Sequence, residues 1–371
     1  MSSPSLLRSL GFYRACVGQE ITEAASEASL GQPYAPFPDI YIASSCLQKA
    51  LRRGDTFYAW GAARYLLRYD EPRLWRRLAV CAFEDFGIVD LTVTARVVAA
   101  CASPAFRLAQ GRERVLEYLI ALLCGLAKDR RLDDLYSLAN ASFGNGGRFK
   151  SLDGDVLGEA IATLVHEAAR LVGICERAVP KRSFRTISLS SCERALEGMA
   201  RRGLLPGGLL ELCDKGVRAS RCLLPLLLPL ALEATRGVAE VGTVLQHRLP
   251  KVPLVRGVPA YAYDGFTRGG RAVLSKLALH EPRLAPLVEA LAASARVDVL
   301  HHLLFFAEGG RVDRLLTDPL SRGLNIYAVA LGARLPQPEA DQAVELMERC
   351  LPTIHALRGA MPLPQPPEDL S

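Results

Sequence analysis

The stretch DIYIASSCLQKALRRGDTFYAWGAARYLLRYDEPRLWRRLAVCAFEDFGIVD, residues 39–90, decides the fold. Ile42, Cys46, Leu47 and Leu51 recur at helical spacing, Gly54-Asp55 interrupts the pattern, and Phe57, Trp60, Leu66 and Leu67 resume it. That spacing predicts a helical hairpin. Gly54 supplies the stop, and Asp55 is the expected N-cap of the second helix, its carboxylate accepting from amides that lack a partner inside the helix. A third apolar run, Leu74 to Phe83, carries Arg73, Arg76 and Arg77 near its start and Glu84-Asp85 near its end. Both placements oppose the helix dipole, which points to another use for these charges.

Outside this stretch, 371 residues with 50% hydrophobic content make a globular chain with a large core, in two or three domains or one extended helical array. The 45 Lys+Arg against 39 Asp+Glu leave a net +6, mild support for an anionic partner, carried mostly by arginine. The ten cysteines lie singly within apolar helical patterns and read as small buried hydrophobes. With no CxxC, and with the one adjacent histidine pair, His301-His302, pointing to different helix faces, no metal site is expected. The N-terminus MSSPSLLRSLGFYRA lacks a signal-peptide core, so a cytoplasmic protein is expected. Cys222 to Ala234 is too short for a membrane span and is broken by Pro225 and Pro229, so it reads as a buried helix near the prolines.

Sustained period-two alternation is almost absent, and the expected class is all-α, a multi-helix array with no repeat at a fixed period. Residues 1–38 read as an N-terminal helical segment and Pro-rich connector, 39–141 as a helical domain and 142–154 as a Gly-rich loop. A second helical region follows at 155–244 and a C-terminal one at 245–360, irregular over 245–271. The Pro-rich tail 361–371 is expected to be disordered.

The runs SSCLQKALRRGD, AWGAARYLL and WRRLAVCAFEDFGIVD resemble the region that follows the ATPase module in the RarA (MgsA) replication-associated recombination ATPases. Members of that family carry a similar Ser-Ala-x-x-Lys-Ser-x-Arg helix, a Tyr-Trp-Leu-Ala-Arg helix and an Arg-Arg-Leu…Ser-Glu-Asp-Ile-Gly helix. The resemblance covers roughly fifty residues. It implies a helical scaffold like the clamp-loader collar, a role in oligomerisation, and work at stalled forks or DNA ends. No GxxxxGK[ST] phosphate loop is present, so neither the nucleotide-driven motor nor any other cofactor is implied.

Three constellations are candidates for chemistry or binding. Lys49, Arg52 and Arg53, three and four apart, share a helix face that would hold consecutive phosphates, with Arg64, Arg68, Arg73, Arg76 and Arg77 on neighbouring helices. The alternative is a solvated face paired with Asp55, Asp70 and Glu71. The segment YAYDGFTRGGR, residues 261–271, crowds Tyr261, Tyr263, Asp264, Arg268 and Arg271 on a Gly-rich frame suited to stacking on bases and holding phosphates. It vaguely resembles an Asp-x-His-Thr-x-x-Gly element of stand-alone relatives of the collar region, with Phe266 in the place of that histidine. A capped helix start in which Tyr263 packs is the alternative. Glu84 and Asp85 diverge by about 100° on a helix, so one of them at most faces a cleft. Arg148 and Lys150, in the loop from Phe143, add a possible DNA contact.

The function expected from these features is a DNA-binding protein of genome maintenance or defence on a motor-less RarA-like scaffold. One alternative is a DNA glycosylase that excises a damaged or phage-modified base, with Asp264, and next Glu84 or Asp85, as the catalytic carboxylate. Another is an oligomerising adaptor for replication or repair proteins.

Overall fold

Aspartate and serine side chains set where the helices of the N-terminal half begin. Asp39 accepts from the amides of Tyr41 (2.7 Å) and Ile42 (2.8 Å), Asp55 from Tyr58, Asp70 from Arg73, Asp90 from Thr92 and Val93, and Ser103 from Phe106. Each satisfies amide groups that the helix itself leaves open. The expected Asp55 cap is present, and Gly54 ends the preceding helix with φ +65°.

The computed structural model describes residues 7–24, 37–144, 156–178, 185–236, 242–289 and 291–361, and within them the chain is all-α with three small antiparallel pairings. The helices are α1 (Leu10–Ala24), α2 (Ile40–Arg52), α3 (Thr56–Tyr69), α4 (Glu71–Glu84), α5 (Leu91–Cys101), α6 (Pro104–Gln110), α7 (Arg112–Gly125), α8 (Arg131–Gly144) and α9 (Val156–Cys175). They continue with α10 (Leu189–Arg201), α11 (Leu209–Ser220), α12 (Leu224–Arg236), α13 (Arg268–His280), α14 (Ala285–Val288), α15 (Ala293–Leu304), α16 (Pro319–Ala333) and α17 (Gln337–Gly359). A π-helical turn, Phe305–Gly309, extends α15. The strands are β1 (Glu176–Ala178) with β2 (Arg185–Ile187), β3 (Thr243–Gln246) with β6 (Arg314–Thr317), and β4 (Leu254–Val255) with β5 (Val258–Pro259). Arg148, Lys150 and the tail beyond residue 361 lie outside the described residues.

Three hydrophobic cores result. The first gathers Leu47 and Ala50 of α2, Trp60 and Leu66 of α3, faces of α4, α5 and α7, and, from far along the chain, Val258, Tyr261 and Tyr263. The second joins α8, α9, α11 and α12 with α1, α5 and part of α16. The third is built from α13, α15, α16 and α17. These cores cut across the boundaries read from the sequence: α8 packs with α9, α12 and α16, and the stretch 255–263 packs under α2. Buried apolar area is non-directional, so the partner of an apolar face is fixed by the whole fold and not by chain position.

Two readings are corrected in detail. Ser142 to Gly144 belongs to the end of α8 and not to the Gly-rich loop, and β3 pairs with β6 across stretches read as helical or irregular. α12 runs from Leu224 with Pro225 in its first turn, where a missing N–H costs nothing, and carries Pro229 inside. Among the described residues no single helix is long and apolar enough to cross a membrane. The cysteines are free, eight of them buried.

Leu47 is fully buried in the first core, whereas Leu210 on α11 is well exposed. Leu47→Ala is expected to lower the unfolding free energy by about 2–5 kcal/mol in chemical denaturation, and Leu210→Ala by less than about 0.5 kcal/mol.

Candidate functional site

Two helix stripes face each other across a cleft of about 640 Å³. α2 contributes Tyr41, Ser44, Ser45, Gln48, Lys49 and Arg52, and α4 contributes Arg73, Arg76, Arg77, Val80 and Glu84. Both sets follow the i, i+3, i+4, i+7 spacing of one helix face. Arg221 and Cys222, between α11 and α12, close one side, while Asp264, Phe266 and Thr267 ahead of α13 close another, with Phe305 of the π-turn at the end.

At the floor, the Asp264 carboxylate is ion-paired with the Lys49 ammonium. Ser45 Oγ donates to Asp264 Oδ2 (2.9 Å) and accepts from Lys49 Nζ (2.6 Å). Lys49 is 4% and Asp264 8% exposed, yet both reach the cleft. Burial outweighs the carboxylate at Lys49 and holds its amine below the ordinary lysine value. At Asp264 burial pushes up, but Lys49 and Ser45 prevail and hold the carboxyl below its usual range. The Lys49 amine therefore gives up its proton more readily than a solvated lysine, and the Asp264 carboxyl ionises more readily than a solvated one. His301, beside Asp264, is pushed down to about 4 by burial and is neutral at pH 7. Asp264 is held in place locally: its Oδ1 accepts from the Phe266 amide (3.0 Å), and Thr267 caps α13 through Gly270 N (3.0 Å). A Cβ on Gly270 would lie 1.8 Å from the Asp264 carbonyl oxygen, so this approach requires glycine.

Behind the floor runs a buried ionic lattice. Asp85 Oδ1 accepts from Arg52 Nε (2.9 Å) and from Arg130 Nη1, while Glu84 Oε1 accepts from Arg52 Nη2. Arg52 Nη1 also donates to the Gly309 carbonyl (3.2 Å), and both guanidiniums lie near the Phe305 ring, at 5.6 Å (Arg52) and 5.3 Å (Arg130) from its centroid. Burial alone would raise Glu84; Arg52 and Arg130 outweigh it and keep the carboxyl below its ordinary value. Cys81, Glu84 and Asp85 lie within ligand range of one another, but the guanidiniums already supply the positive charge these carboxylates need.

The mouth is basic. Arg76, Arg77 and Arg221 make no ion pair or side-chain hydrogen bond among the described residues, while Arg73 pairs with Asp70 (2.9 Å) and stands 4.7 Å from the Tyr41 ring centroid. Partial burial, reinforced by Arg73 and Arg77, lowers Arg76 from the ordinary arginine value. A cluster of like charges in which three arginines make no ion pair among the described residues is what an anionic ligand would neutralise.

Several sequence readings are corrected here. Lys49 and Arg52 are not an exposed phosphate-binding face: they are buried and neutralised by Asp264, Glu84 and Asp85. Arg53 donates to the Pro250 carbonyl (3.0 Å) and stacks 5.2 Å from the Tyr261 ring centroid. Tyr261 and Tyr263 are core residues under α2 and cannot stack on a base. Of that segment's aromatics, Phe266 is the exposed one, 77% accessible beside the cleft and edge-on to His301 at 4.3 Å. Arg268 and Arg271 are exposed outside the cleft, Arg271 pairing with Asp298 (3.1 Å). Glu84 lines the cleft and Asp85 is fully buried behind it. Arg221, which sequence reasoning passed over, reaches the mouth because it ends α11 in the left-handed conformation (φ 56°). No local pattern marks such a position unless the residue is glycine.

No family model, curated protein or solved structure matches this chain.

Asp85→Ala leaves Arg52 and Arg130 buried with one carboxylate fewer, and a loss of about 3–5 kcal/mol in unfolding free energy is expected. Arg114→Ala, at an exposed position on α7, serves as the comparison and is expected to stay within about 0.5 kcal/mol of the parent.

Proposed function

We propose that this chain binds DNA and seats a single nucleotide of it in the cleft. The observation that carries this reading is the convergence of Arg76, Arg77 and Arg221, which make no ion pair among the described residues, on the mouth of a cavity with buried charged groups on its floor. Guanidinium forks suit phosphate oxygens, and a backbone threading the mouth would bring one phosphate after another to them. Phe266 and Tyr41, both exposed at the rim, offer faces for stacking on a base. A volume of about 640 Å³ falls in the range of pockets that take small-molecule-sized groups, which a nucleotide is. The resemblance of residues 39–90 to the region after the ATPase module of RarA proteins supports the same assignment, to genome maintenance or defence.

Excision of a damaged or modified base is the second reading, favoured by one observation: Asp264, anionic and held by Lys49 and Ser45, faces the cavity and not bulk solvent. A carboxylate so placed would stabilise positive charge developing on a sugar as its base departs.

Replacing Arg76, Arg77 and Arg221 by alanine is expected to weaken DNA binding and to reduce the slope of log K against log salt by about one unit or less per arginine. Arg114→Ala is expected to leave both unchanged. Fluorescence anisotropy over a salt series checks this, and a triple variant that folds and keeps parental affinity and slope removes the cleft from the DNA-binding surface.

A further inference from the structure

The Lys49 amine is oddly placed for a purely structural cation. It lies on the floor of an open cavity, 2.6 Å from a hydroxyl and paired to one carboxylate, with Arg52 adding a second buried cation nearby. A lysine that only pins a loop to a helix gains nothing from facing the cavity. An amine that attacks a carbonyl needs this position: access to the substrate, a neighbouring base to take its proton, and surroundings that favour the neutral form.

We propose that Lys49 is the nucleophile of an imine-forming activity on abasic sites in DNA. The proposal rests on the DNA-binding reading above and names the substrate class for that site: a deoxyribose that has lost its base and opens to an aldehyde. An abasic nucleotide has no base to stack or pair, so the cost of turning it into a cleft is least. Its flanking phosphates would be held by Arg76, Arg77 and Arg221 at the mouth, and the missing base leaves room for the sugar to descend to the floor.

The chemistry needs no cofactor. Lys49 gives its proton to the Asp264 carboxylate, and the freed lone pair forms a C–N bond to the aldehyde carbon while the carbonyl π electrons move to oxygen. That oxygen takes up two protons, one from the attached nitrogen and the other back from Asp264, and leaves as water, giving the iminium with one hydrogen left on nitrogen. Loss of a proton from the neighbouring sugar carbon, with Asp264 again as base once it has returned its first proton to the departing water, sends the C–H electrons into a new C=C bond. The C–O bond to the 3′ phosphate breaks, the phosphate leaves with that electron pair, and the strand is cut. Water then hydrolyses the imine, returning the free amine and an unsaturated aldehyde. No net oxidation or reduction occurs.

The experiment uses the full chain, a duplex with one abasic site and sodium borohydride, which reduces an iminium to a stable amine. A covalent protein–DNA adduct is expected on a denaturing gel, with the modified lysine mapped by mass spectrometry to Lys49. Lys49→Arg, which keeps the positive charge opposite Asp264, is expected to lose the adduct by at least about 100-fold while retaining DNA affinity. Mapping on the parental protein keeps the test decisive even if the variant does not fold. Absence of an adduct, or an adduct mapped to another lysine, in a protein that binds the abasic duplex overturns this inference and leaves the DNA-binding reading standing. Absence of binding to abasic and intact DNA alike overturns both.

Discussion

The architecture depends on a buried ionic contact, the sharing of the Asp85 carboxylate by Arg52 and Arg130, with Glu84 bracing Arg52 from the side. Removing several charges from water costs many kcal/mol, and close pairing returns only part of it, so such a lattice is a poor source of net stability. Its value is geometric. Arg52 ends α2, Glu84 and Asp85 end α4, Arg130 leads into α8, and the Gly309 carbonyl belongs to the π-turn after α15. One cluster therefore ties four segments that span most of the chain. A slip of either helix would leave a buried charge unpaired, so the polar stripes of α2 and α4 are held facing one another with the cleft between them.

The same residue type performs two opposite tasks around one cleft. Arg52 and Arg130 are buried, satisfied and unavailable, whereas Arg76, Arg77 and Arg221 make no ion pair among the described residues and face the opening. Arg73 sits between these extremes, held by Asp70 and stacked on Tyr41. Guanidinium serves both roles because it stays charged under burial and presents several donors in a fixed plane. Interior arginines cost desolvation and return position; those at the mouth keep their field for a ligand.

The local features were legible in the sequence because their causes are local. The hairpin of α2 and α3, the Gly54 stop and the Asp55 cap follow from spacing and side-chain chemistry within a few residues. The charges of α4 set against its dipole also carried information: the acidic pair at its end is there to meet Arg52 and Arg130. The burial of Lys49 was not legible, since its partner Asp264 lies 215 residues away. A stripe of cations at i, i+3 and i+4 looks the same whether it meets water or carboxylates. Tyr261 and Tyr263 were misread for a related reason: a Gly-rich aromatic segment suggests an open loop, but these rings fill the space under α2. α16, apolar nearly throughout with glycines inside it, shows little amphipathic period because it is shared by two cores.

The central claim is that the basic mouth of the cleft, and not the cations of α2 or the exposed arginines of α13, is where DNA meets the protein. Arginine-selective modification with phenylglyoxal, mapped by mass spectrometry in the free and DNA-bound protein, tests it most directly. The account predicts that DNA protects Arg76, Arg77 and Arg221 while Arg114 and Arg268 react at unchanged rates. Protection of Arg268 and Arg271, with the three arginines at the mouth reacting as in the free protein, would contradict it.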